Sequence, residues 1–121
     1  MARILVIDDD AEMRAVLGQT LKSAGHEVVL AADGKRGLAE CGTKPIDLVV
    51  TDLVMPQQEG IETIMQLRRD YPKIAIIAMS GMSGARNLLW IAQRIGAAKT
   101  LQKPFQPEEL LAAVTEVVGR S

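Results

Sequence analysis

Carboxylates stand where two apolar runs end. Asp8-Asp9-Asp10 follows Ile4-Leu5-Val6-Ile7, and Asp52 follows Leu48-Val49-Val50-Thr51. A third run, Ile74-Ala75-Ile76-Ile77-Ala78-Met79, closes on the hydroxyl of Ser80, and a shorter one closes on Lys103-Pro104. In a parallel sheet all carboxyl ends of strands share one edge, so acids, a hydroxyl and an ammonium would converge in one crevice. Carboxylates crowded together repel and call for a cation. Oxygen donors without His or Cys suit a hard ion such as Mg²⁺.

The elements that must position these groups alternate along the chain. Strands are expected at Arg3–Ile7, His26–Ala31, Ile46–Thr51, Ile74–Met79 and Ala98–Gln102. Helices are expected at Ala11–Ala24, Lys35–Gly42, Gly60–Asp70 and Gly84–Ile95, with a fifth starting near Pro107, a residue suited to a first helical position. Met13, Val16, Leu17, Thr20, Leu21 and Ala24 recur at helical spacing; Asp10 is the expected N-cap and Gly25 the stop. Ile61, Ile64, Met65 and Leu67 form the inward or flanking side of the third helix. Leu110, Leu111, Val114, Val117 and Val118 form the inward stripe of the fifth. The third and fourth strands are nearly continuous apolar runs, as buried parallel strands are. The alternation implies an α/β, doubly wound parallel sheet with right-handed crossovers and helices on both faces. Ligands then bind beyond the carboxyl ends of the strands.

The totals exclude several classes. A chain of 121 residues makes one domain with a real core, here 1–121, and no linker or repeat divides it. A net charge of -1 gives no pull toward nucleic acid or anionic membrane. Aromatic residues are 2% of the chain, too few for a base-stacking platform. The apolar runs fall far short of the roughly 20 residues of a membrane span. The single Cys41 excludes an internal disulfide and fits a reducing, cytoplasmic setting. Cys41 reads as packing and His26 as a surface residue.

The ordered motifs resemble the receiver domain of two-component response regulators over nearly the whole chain. They are Ile4-Leu5-Val6-Ile7-Asp8-Asp9, Asp47-Leu48-Val49-Val50-Thr51-Asp52-Leu53-Val54-Met55-Pro56, Ala78-Met79-Ser80-Gly81, Gly96-Ala97-Ala98 and Lys103-Pro104-Phe105. The resemblance implies a flavodoxin-like sheet of strand order 2-1-3-4-5 and a phosphoacceptor switch in the cytoplasm. A histidine kinase or histidine phosphotransferase would phosphorylate Asp52. Asp9, Asp8, Asp52 and the backbone carbonyl of Val54 would hold Mg²⁺. Ser80 would bond the phosphoryl group, Lys103 would neutralise one of its oxygens, and Pro104 would follow a cis bond. The resemblance also implies a read-out surface on helix four, strand five and helix five, which a homodimer, an output domain or another protein would use. Such a domain catalyses only its own phosphorylation and dephosphorylation.

The chain departs from the family pattern on strand five. The family usually places Tyr or Phe three residues before the lysine; here Thr100 stands there, too small to report phosphorylation by rotating a ring. Val54 and Met82, two residues beyond Asp52 and Ser80, are apolar at positions that influence attack by water in the family, which implies a long-lived phosphorylated state. Trp90 lies about 200° around helix four from Leu88, away from the expected core face of Leu88, Ile91, Ala92 and Ile95, with Leu89 on the flank. An exposed Trp beside Leu89 is a partner or dimer anchor unless a neighbouring loop covers it.

Other readings compete. The three acids after strand one also serve as an N-cap and favourable charge for helix one. A phosphorylation-independent pseudo-receiver would keep the fold as an interaction module, which Thr100 makes less remote. A Mg²⁺-dependent phosphohydrolase would need an acid where Val54 stands. Ser80-Gly81-Met82-Ser83-Gly84 lacks phosphate-loop spacing, and its glycines read as a hinge beside Ser80. Asp33 and Asp47 read as ordinary turn or solvent residues.

Overall fold

A computed structural model describes residues 2–53, 59–81 and 85–119. Strands and helices alternate as β1 (Arg3–Ile7), α1 (Ala11–Ser23), β2 (Glu27–Ala31), α2 (Gly34–Thr43), β3 (Leu48–Asp52), α3 (Glu59–Asp70), β4 (Ala75–Ser80), α4 (Ala85–Ile95), β5 (Lys99–Gln102) and α5 (Pro107–Val118). The strands pair in parallel in the order β2-β1-β3-β4-β5. This is the doubly wound α/β sheet expected from the alternation.

Side chains alternate across each strand, so each strand feeds two cores. Leu5, Ile7, Val49, Ile76 and Ala78 face α2, α3 and α4, where Ile64, Leu67 and Ala92 are fully buried. Ile4, Val6, Leu48, Val50, Ile77 and Met79 face α1 and α5, where Leu21, Leu110 and Val114 are fully buried. Every residue of β3 is buried, including its polar end, Thr51 and Asp52. With both faces covered, β3 has no solvent side, which explains its unbroken apolar run.

The helix ends follow the sequence signals. Asp10 accepts hydrogen bonds from the amides of Glu12 (3.0 Å) and Met13 (3.3 Å). Gly25 follows α1 at φ +94°, a conformation that glycine adopts at no steric cost. Asp33 is more than a turn residue: it caps α2, accepting from the Arg36 amide at 2.8 Å. Asp47 likewise has a task, accepting the Arg3 amide at 2.8 Å. The ladder therefore starts at Leu48, and Ile46 and Asp47 precede it. Pro107 opens α5, and the Glu109 carboxylate accepts from the Gln106 amide at 3.0 Å.

Three apolar residues expected on or beside core faces are exposed. Val16 is 57% exposed because α1 turns Gly18, not Val16, toward β2: a Cβ at Gly18 would stand 3.2 Å from Leu30. Met65 is 55% exposed, since Thr63, Ile64 and Leu67 centre the buried face of α3. On α4 the buried centre is Ala92, and Leu89 and Ile95 pack against the core, leaving Ile91 partly exposed. Leu88 falls on a stretch whose side chains lie outside the described residues.

Candidate functional site

Strand register brings the chemistry together. Ile7 pairs with Thr51, so the residues that follow, Asp8 and Asp52, lie side by side. Asp52 pairs with Met79 and is itself the last residue of β3. Ser80 is the last residue of β4 and pairs with Gln102, which places Lys103 next along that edge. By strand alternation Asp8, Asp52 and Lys103 continue the phase of Val6, Val50 and Leu101, the side of the sheet that faces α1 and α5.

The side chains meet. Lys103 Nζ lies 3.1 Å from Asp8 Oδ2 and 3.1 Å from Asp52 Oδ2. Asp8 is fully buried, Asp52 is buried and Asp9 faces solvent. One oxygen from each of Asp8, Asp9 and Asp52 lies within 4.8 Å of the others. Backbone bonds hold the frame: the Lys103 amide donates to the Ser80 carbonyl at 2.8 Å, and the Leu53 amide to the Met79 carbonyl at 2.8 Å. Asp8 Oδ1 accepts from the Asp10 amide at 3.0 Å, which fixes the carboxylate's rotation.

Electrostatics balance only in part. Burial pulls the Lys103 ammonium down, but the adjacent Asp52 and Asp8 carboxylates outweigh burial and leave its pKa above the ordinary lysine value. Lys103 is therefore a fixed positive charge near neutral pH. Three carboxylates against one ammonium leave a formal surplus of two negative charges in the cluster. A divalent cation matches that surplus, and an all-oxygen donor set open to solvent through Asp9 suits Mg²⁺. The residues present therefore fit the ion.

Ser80 is the second group at this edge that suits a ligand. Its Oγ is buried and, among the described residues, has no hydrogen-bond partner. An unsatisfied buried hydroxyl is costly, and an acceptor arriving at the strand edge would remove that cost.

The model of the response regulator receiver domain matches residues 4–115. The chain belongs to this family. The receiver is 38% identical over 120 residues to a protein of Porphyridium aerugineum named probable transcriptional regulator ycf27, covering 98% of this chain and 48% of that one. It is 33% identical over 121 residues to the transcriptional regulatory protein CpxR of Escherichia coli, covering 100% of this chain and 51% of CpxR. The chain thus spans about half the length of such curated relatives. Among solved structures, a CheY-like receiver domain from Methanospirillum hungatei superposes with a TM-score of 0.91 at 28% identity, covering 99% of this chain and 95% of that one. Chemotaxis protein CheY4 of Vibrio cholerae superposes with a TM-score of 0.87 at 32% identity, covering 97% of this chain and 98% of CheY4. The chain is a receiver domain of two-component signalling.

The residues singled out in the receiver's sequence divide in two. Asp8, Asp9, Asp52 and Lys103 come together in the pocket, Ser80 stands at its edge, and the Lys103-Pro104 bond is cis. Thr100 is half-buried on β5, opposite Ala78. Trp90 is 61% exposed, with the Arg94 guanidinium 5.3 Å from its ring centroid. Val54 and Met82 lie outside the described residues. No helix among the described residues is long and apolar enough to cross a membrane. Cys41 is buried, and burial first, then Glu40, pushes its thiol pKa up, as an inert packing residue requires.

No periodic pattern announces two further contributors. Arg14 on α1 donates from Nη1 to the Asp8 carbonyl at 2.8 Å, tying the acidic loop to the helix. Gly60 lets α3 rest on the end of β3: a Cβ there would stand 2.5 Å from the Asp52 carbonyl oxygen and 2.5 Å from Leu53 Cα. A basic residue one turn into the helix and a glycine eight positions after Asp52 were the only traces.

Proposed function

We propose that this receiver accepts a phosphoryl group on Asp52 from a histidine kinase or a histidine phosphotransferase and relays that state to a partner or output domain. The observation that carries the reading is the seat of Lys103 Nζ, 3.1 Å from both Asp8 and Asp52, beside a carboxylate cluster and a buried Ser80 Oγ that has no hydrogen-bond partner among the described residues. Asp52 Oδ attacks phosphorus in line; the P–N bond of the donor phosphohistidine breaks, and the imidazole leaves with the electron pair and takes up a proton. The product is an acyl phosphate.

Each neighbour has a role. Lys103 moves from bridging two carboxylates to neutralising a phosphoryl oxygen, which stabilises charge as it develops. Ser80 donates its hydroxyl hydrogen to another phosphoryl oxygen. Asp8, Asp9, Asp52 and the Val54 carbonyl would hold Mg²⁺, which would offset negative charge on the transferring group. The modified Asp52 gains roughly 1.5 to 2 negative charges. Ser80 and Lys103 are then drawn to it, and the change spreads to α4 and β5, where Thr100 transmits no ring rotation. Trp90 and the rest of the surface formed by α4, β5 and α5 serve as the contact for a partner or a second copy.

Incubation with Mg²⁺ and acetyl phosphate tests this reading. Intact-mass measurement should show a gain of about 80 Da, one phosphoryl group. Asp52→Asn should abolish it. An unchanged mass in the wild type would instead support a phosphorylation-independent interaction module, and continued turnover of free donor would support a phosphohydrolase.

A further inference from the structure

The chain passes from β1 into α1 through three consecutive acids, and two of them belong to the pocket. Asp8 is fully buried, whereas Asp9 faces solvent. A solvent-facing carboxylate is aimed by the backbone that carries it more than by packing around it. That backbone is held at several points. The Asp8 amide donates to the Ala31 carbonyl at 3.2 Å, and the Asp10 amide donates to Asp8 Oδ1 at 3.0 Å. The carbonyl of the peptide that joins Asp8 to Asp9 is held by a side chain: it accepts from Arg14 Nη1 at 2.8 Å. The Arg14 amide donates to the Asp10 carbonyl at 2.9 Å. One half-buried residue of α1 thus grips the acidic loop at both ends.

We propose that Arg14 is a positioning residue for the metal pocket: by holding the Asp8–Asp9 peptide it aims both carboxylates at one point, and so sets the affinity for Mg²⁺. This rests on the reading of Asp8, Asp9 and Asp52 as Mg²⁺ ligands and deepens it, because part of the affinity falls to a residue that touches no ion. Groups that orient metal ligands from behind contribute to affinity in this way. The charge of Arg14 acts in the opposite direction. A guanidinium near a cation site repels the cation, so its removal would tighten binding if charge were its only effect. Only positioning makes an arginine here helpful to a cation.

Titration calorimetry of the full chain with Mg²⁺ alone, without a phosphoryl donor, separates the two effects by sign. Arg14→Met keeps a long apolar stem and removes both donor and charge; its Mg²⁺ dissociation constant should rise about tenfold to a hundredfold. Arg14→Gln removes the charge but keeps an amide donor, and should recover part of the loss. Mg²⁺ binding by Arg14→Met as tight as wild type or tighter would overturn the proposal, and so would Arg14→Gln no better than Arg14→Met. Lys22→Met removes a positive charge from the last turn of the same helix and should leave the affinity unchanged; a loss equal to that of Arg14→Met would overturn the grip on Asp8 as the cause. Asp9→Asn tests the underlying site separately: wild-type affinity in that variant, or no Mg²⁺ binding by the wild type, would overturn the ion site itself, independently of Arg14. If Arg14→Met does not fold, Arg14→Gln decides: binding weaker than wild type supports the proposal, and equal or tighter binding, or failure of both variants to fold, rejects it.

Discussion

The centre of the sheet's carboxyl edge and the flank formed by α4 and β5 are built on opposite terms. At the centre, polar groups are buried and face one another: Lys103 bridges Asp8 and Asp52, and the frame is tied by backbone bonds. On the flank, Trp90 is 61% exposed and Ile91 38% exposed, while Thr100 stands half-buried on an edge strand. A buried ion cluster tolerates little variation, because each member is the solvation of the others. An exposed face tolerates almost any residue, and its identity is then free to serve a partner. The centre carries the acids and the lysine that the receiver resemblance leads one to expect, and the flank carries Thr100 where it leads one to expect an aromatic ring.

Breaking the centre should have the largest effect. Lys103→Ala leaves buried Asp8 and Asp52 without their shared ammonium, so in the absence of divalent ions it should cost about 3 to 5 kcal/mol of stability, read by denaturant unfolding. A loss below about 1 kcal/mol would mean that the pocket is wetter than its burial indicates. Mg²⁺ at about a hundred times its dissociation constant should raise wild-type stability by about 2.7 kcal/mol. Asp9→Asn or Asp8→Asn should remove most of that gain, and retention of it would place the ion elsewhere.

The flank should respond differently. Trp90→Ala should change stability by no more than about 0.5 kcal/mol, as exposed substitutions do. It should nevertheless weaken self-association or partner binding of the phosphorylated protein, read by sedimentation or calorimetry. A large stability loss would show that Trp90 belongs to the core account, and unchanged association would remove it from the interface.

The smallest effect concerns pH. The Lys103 pKa is raised above its ordinary 10.5, so its bridge contributes fully below that value and is lost only as pH climbs through the higher folded-state value. Stability should therefore show no Lys103-linked loss from neutral to mildly alkaline pH. In Asp8→Asn the loss should begin at lower pH, because one of the two carboxylates raising the pKa is gone. Identical alkaline profiles for the two proteins would contradict the bridge.

Much of the centre was legible in the sequence because strands announce where they end. Asp52 closes Leu48–Thr51 and Ser80 closes Ile74–Met79, and period-two alternation then assigns a face to each. The pairing of Lys103 with both acids needed only the strand order. What stayed hidden depends on how closely backbones approach. Gly60 beneath Asp52 and Gly81 beneath Lys103 are unremarkable letters until a Cβ is placed on each. Val16 fits the helical period, and only the closeness of Gly18 to Leu30 turns it outward. The reach of Arg14 to the Asp8 carbonyl depends on a long side chain's rotamer, which spacing does not encode.

The central claim is that Asp8, Asp9, Asp52 and Lys103 form one Mg²⁺-dependent pocket that delivers phosphorus to Asp52. Peptide mapping after borohydride reduction of the acetyl phosphate-treated protein tests it most directly. The modification should fall on Asp52 alone and vanish when Mg²⁺ is chelated; phosphate on another residue, or equal labelling without the ion, would contradict it.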